Sequence, residues 1–130
     1  MAQDKAHTVP SHVPIGGRVW RVLWLPGGDP RLVDGTGIER LATTDPTANT
    51  ISVRRDLVPP TLDLVVLHEV AHALYSSWYA MPTMRRAVMG SSVRNVEELV
   101  AKFVEDGAYD ALAITSEILG RPPCLRGRCD

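Results

Sequence analysis

An α+β domain is the fold class this sequence predicts, and three observations carry the prediction. Short runs of β-branched and aromatic residues bounded by glycine and proline fill the first half, and apolar residues at helical spacing fill the second. Between them the run Leu64 to Leu74 is apolar except for His68, Glu69 and His72. At 130 residues, 45% hydrophobic and 22% charged, the chain suits one domain with a genuine core. A net charge of −1 provides no basic excess for gripping nucleic acid or an anionic membrane. The start of the chain carries Asp4 and Lys5 and no apolar stretch of the signal-peptide kind, and the longest apolar run breaks at His68 and Glu69 before it reaches the length of a bilayer span. A soluble, cytoplasmic protein is expected.

Residues 1–14 read as a flexible lead-in, 15–120 as a single domain and 121–130 as a C-terminal tail. Val19 to Leu25, set between Gly16-Gly17 and Pro26-Gly27-Gly28, predicts a strand. A loop follows from Asp29 to Gly37, then a short extended piece over Ile38 to Thr43 and a turn at Asp45-Pro46. Asn49 to Arg54 alternates polar and apolar residues, the pattern of a strand with one wet face. After Pro59-Pro60 a helix is predicted over about residues 61 to 77, with Asp63 complementing its positive N-terminal end. Its nearly all-round apolar surface predicts burial. Trp78 to Ser92, with three methionines and no clean period, reads as a connection walling the site or packing as a secondary core. Arg94 to Asp106 has helical spacing, Gly107 is placed to bend or end that helix, and Ala108 to Leu119 is helical again before Gly120 and Pro122-Pro123. Cys124 and Cys129 read as two free thiols in a reducing compartment, with a terminal disulfide loop as the oxidised alternative.

The chemistry lies in His68-Glu69-Val70-Ala71-His72, which spells H-E-x-x-H. Residues four apart stack on one helix face, so the two imidazoles can bind one metal ion while Glu69, one position round, reaches a water without being a ligand. A catalytic zinc site has three protein ligands and an open position, so one ligand is missing. Position 78 is a tryptophan and the other histidines, His7 and His12, stand in the lead-in, which points to a downstream carboxylate. On the second helix Glu97 lies beside the apolar stripe of Val96, Val100 and Phe103, and Glu98 lies toward the solvated side, where it also suits a capping box with Asn95. Glu97 is the favoured third ligand and Glu98 the alternative.

Together, the H-E-x-x-H helix, the later Glu97-Glu98-Leu99-Val100-Ala101 and the preceding Thr50-Ile51-Ser52-Val53 resemble the gluzincin metallopeptidases, most closely the small ImmA/IrrE type and related phage-encoded peptidases. The resemblance covers roughly residues 48 to 106. It implies a minimal zincin-like domain with short N-terminal antiparallel strands packed on the motif helix. It further implies one Zn2+ ion held by His68, His72 and Glu97, with Glu69 as general base. It also implies an edge strand, here Ile51, Ser52 and Val53, that pairs with an extended peptide or protein substrate. Tyr75, one turn beyond His72, is a candidate oxyanion donor, with Tyr79 and Arg85 behind it. The expected activity is therefore zinc-dependent endopeptidase. The competing readings are a zinc-stabilised binding or phage accessory module without turnover, and a helical interaction protein in which the motif is accidental.

Overall fold

The computed structural model describes residues 11–79 and 93–125. The lead-in before Ser11, the connection from Ala80 to Ser92 with Arg85, and the end of the tail with Cys129 lie outside the described residues. The fold is α+β, a four-stranded sheet with two long helices on one face. Among the described residues no helix is long and apolar enough to cross a membrane.

The first strand, β1, spans Ser11–Ile15 and turns through Gly16-Gly17 into β2, Arg18–Leu25. Both glycines take positive φ, +58° and +83°, as a two-residue hairpin turn demands. The lead-in expected to reach residue 14 thus ends earlier. Val13 and Ile15 alternate inward and are buried, and Pro14 is tolerated because β1 is an edge strand. Gly16 is also pressed against the end of the first helix, where a Cβ would fall 2.2 Å from the Ser77 hydroxyl, whereas one at Gly17 would meet open space. By urea unfolding, Gly16→Ala is expected to cost about 2 kcal/mol or more, and Gly17→Ala about 1 kcal/mol from backbone strain alone.

Beyond β2 a short 3-10 turn, Pro30–Leu32, precedes β3 (Ala42–Asp45) and β4 (Thr50–Arg54). The strand order is β1-β2-β4-β3. β4 pairs antiparallel with β3 but parallel with β2, which corrects the expectation of wholly antiparallel strands. The β3–β4 turn is set by Asp45, whose Oδ1 accepts from the Thr47 and Ala48 N–H groups at 3.0 and 3.2 Å, and by Asn49 at φ +50°. The polar face of β4 is only partly wet: Ser52 is buried on the side of Leu23, Leu25 and Leu32, and Thr50 and Arg54 are half-buried.

The main core fills the other face. Trp20, Val22 and Trp24 of β2, Ile51 and Val53 of β4 and Ala42 of β3 meet two helices, α1 (Thr61–Tyr79) and α2 (Val93–Leu119). Leu62, Val66, Val70, Ala73 and Leu74 supply the buried stripe of α1, at the spacing a 3.6-residue repeat requires. α2 is continuous through Gly107, which is buried and where a Cβ would meet the Phe103 ring at an ordinary 3.7 Å. No break forms there because packing outweighs glycine's weak helix propensity.

The helices run antiparallel, with Asp63 at the start of α1 joined to Arg121 just past the end of α2, and Tyr75 near the end of α1 stacked edge-on against Phe103. The Asp63 side chain is wholly buried and takes a bidentate pair from Arg121 at 2.7 and 2.8 Å, together with the Cys124 N–H. Burial pushes this carboxyl up, but the Arg121 hydrogen bonds, the Cys124 N–H and the guanidinium charge outweigh it and hold the pKa below the ordinary aspartate value. The first residues of the expected tail are therefore part of the domain. Cys124 is disulfide-bonded rather than a free thiol. Arg121→Ala would strand a buried carboxylate and is expected to cost about 3 kcal/mol at neutral pH. Because the folded pKa is depressed, this contribution is complete above about pH 4 and lost as pH falls through the folded value. Wild type and variant should converge in urea stability in strong acid.

Candidate metal centre

Helix α1 is not buried all round, contrary to the expectation from its composition. Leu64, His68, His72 and Tyr75 form an exposed stripe along one side, Leu64 and Tyr75 at 46% and 44% exposure. They open onto a cleft of about 1430 Å³ that also takes in Glu69 and the residues of β3. The histidines are thus reached from solvent. Their Nε2 atoms lie 3.1 Å apart, with ring centroids at 4.7 Å and planes at 71°. Two nitrogens at zinc-bond length in tetrahedral geometry stand about 3.3 Å apart, so the pair fits two adjacent corners of such a site. Without a metal the same approach requires one ring to donate Nε2–H to the other, which restricts both tautomers.

Glu69 stands one position round the helix from His68, on the side that meets β3. It is 7% exposed, and its Oε2 accepts a 2.8 Å hydrogen bond from the Thr44 hydroxyl, which also approaches the Glu69 main-chain oxygen at 3.3 Å. The sequence offered no signal for Thr44, one of several threonines on a short strand. Tyr75 lines the cleft beside His72, in the place expected of it, and its ring contacts Phe103 at 6.3 Å.

Two expectations are not met. Ile51, Ser52 and Val53 do not form an edge: β4 is hydrogen-bonded on both sides, and all three residues are buried. The edge nearest the histidines belongs to β3. Nor does Glu97 join the pair. It and Glu98 are exposed, and among the described residues no group of three or more His, Cys, Asp or Glu side chains gathers to hold a metal. The helix register gives the reason. Phe103 is level with Tyr75, and since the helices are antiparallel Glu97 lies about 13 Å along the axes from His72, on the far side of that ring pair. Among the described residues the donor set therefore offers the two imidazoles and no third ligand beside them.

Comparison with protein-family models, curated proteins and solved structures found no match.

Proposed function

We propose that this chain is a zinc-dependent peptidase in which His68 and His72 hold the ion and Glu69 is the general base. The observation that carries the reading is the convergence of the two Nε2 atoms at 3.1 Å on a helix face open to a large cleft. Its support is threefold: the H-E-x-x-H spacing, the buried carboxylate next to the pair, and a sheet edge running alongside the same helix. These features support the minimal zincin-like reading that the gluzincin resemblance suggests.

When bound, zinc would polarise the scissile carbonyl and bring the pKa of a coordinated water to about 7. Glu69 takes a proton from the attacking water and returns it to the leaving amine. An extended peptide pairs with the free edge of β3, in place of the Ile51 to Val53 edge first expected, and its main-chain hydrogen bonds position it across α1. Tyr75 is the candidate donor to the developing oxyanion.

A third protein ligand is required for a tightly held catalytic ion, and on the sequence Glu97 is its source. Glu97 stands clear of the pair in this structure, so the first turns of α2 would have to carry it there for it to serve. Glu97→Gln is then expected to weaken zinc binding at least about tenfold by competition with a chromogenic chelator, taking the loss of one ligand as no smaller than that of an outer-shell partner. Unchanged affinity would leave water or substrate in the remaining positions.

The experiment for the activity is cleavage of a mixed peptide library by zinc-loaded protein, with fragments read by mass spectrometry and a chelated control. Cuts that vanish with chelator and return with zinc are expected. Full zinc occupancy without any cut would favour the zinc-stabilised binding module.

A further inference from the structure

Thr44 occupies a singular place in the sheet. The Arg54 N–H donates to the Leu41 carbonyl at 2.9 Å, which makes Leu41 and Arg54 a hydrogen-bonded pair of the antiparallel β3–β4 ladder. Such pairs alternate, so Thr43 and Ser52 exchange the next main-chain bonds and Ala42 and Thr44 turn their N–H and C=O groups to the open edge. Among the described residues no strand occupies that edge. On the helix-facing side the Thr44 hydroxyl reaches Glu69 Oε2 at 2.8 Å. One residue thus faces a prospective edge partner with its main chain and a buried carboxylate with its side chain.

From this geometry we infer that Thr44 is the positioning residue of the site: its main chain grips the peptide while its hydroxyl fixes one oxygen of Glu69, leaving the other free to take the proton. The inference rests on the peptidase reading for its catalytic meaning, and on the coordinates alone for the Thr44–Glu69 link. The hydrogen bond restrains the carboxylate's rotation about its last torsion, which is otherwise broad. It also ties the distance between peptide and base to a single residue, so a peptide in register on β3 is in register with Glu69.

Two kinds of measurement test it. Thr44→Val keeps the shape and the outward main chain but lacks the donor, and Thr44→Ser keeps the donor. On a peptide that the wild type cleaves, Thr44→Val is expected to lower kcat about tenfold to a hundredfold with KM within about twofold, and Thr44→Ser to restore most of kcat. Zinc content should match the wild type in both. An unchanged kcat in Thr44→Val, a loss confined to KM, or a serine variant as poor as the valine one would overturn the inference. A wild type that carries zinc and cuts nothing would defeat the peptidase reading instead. The link is then judged by urea unfolding of Thr44→Val, Glu69→Ala and the double variant. A coupling of about tenfold in the folding constant is expected, and coupling below about twofold would dismiss the link.

Discussion

Glu69→Gln is expected to abolish peptide cleavage, lowering kcat/KM by about two to four orders of magnitude, while fold and zinc content stay as they are. The amide has nearly the shape of the carboxylate, and its oxygen can still accept the Thr44 hydroxyl that Glu69 Oε2 accepts at 2.8 Å. What it lacks is a site for the proton taken from the attacking water. Because Glu69 is 7% exposed, exchanging its charge for a neutral amide also removes a desolvation cost, so thermal stability should hold or rise. Thermal melting and metal analysis beside the kinetics separate this outcome from misfolding. A glutamine variant within tenfold of wild-type activity would remove Glu69 from the mechanism.

The second large effect belongs to the histidines. His72→Ala leaves His68 a lone imidazole on an exposed helix face, and His68→Ala does the reverse. Either change should weaken zinc binding by at least about a hundredfold, since one ligand of two or three is lost along with the chelate geometry. Ions that bind only the folded protein stabilise it by mass action, so chelator should lower the melting temperature of the wild type and leave that of either variant unmoved. Because both side chains are exposed and belong to no core cluster, each variant should fold. If the variants bind zinc as the wild type does, the 3.1 Å approach of the rings is a hydrogen bond and nothing more.

The period of the apolar residues made most of this architecture legible. β2, β4 and both helices lie within a few residues of where alternation or helical spacing put them. β1 was hidden by His12 and Pro14, since a proline argues against a strand unless the strand is known to lie at an edge, and edges are a property of the assembled sheet. The parallel pairing of β2 with β4 and the interior place of β4 were equally out of reach, because local pattern specifies a strand but not its neighbours.

Around the site the same division holds. The spacing of His68 and His72 put both rings on one face, whereas the 3.1 Å approach of their Nε2 atoms depends on side-chain rotamers that spacing does not fix. Composition misjudged that face as buried, because Leu64, apolar enough to suggest a core, borders an open cleft together with the two histidines. Asp63 read as a partner for the helix dipole, and it is instead locked to Arg121, 58 residues away, in a stretch taken for a tail. Thr44 and Glu69 stand 25 residues apart with no motif joining them, so only the packing of β3 beside α1 could reveal that contact.

Elemental analysis of untagged protein, purified without added metal and dialysed, tests the central claim most directly. About one equivalent of zinc per chain, removed by a strong chelator, restored on titration and missing from His68→Ala, is the predicted result. A wild-type chain with less than a tenth of an equivalent of any transition metal, and no uptake when zinc is supplied, would contradict it.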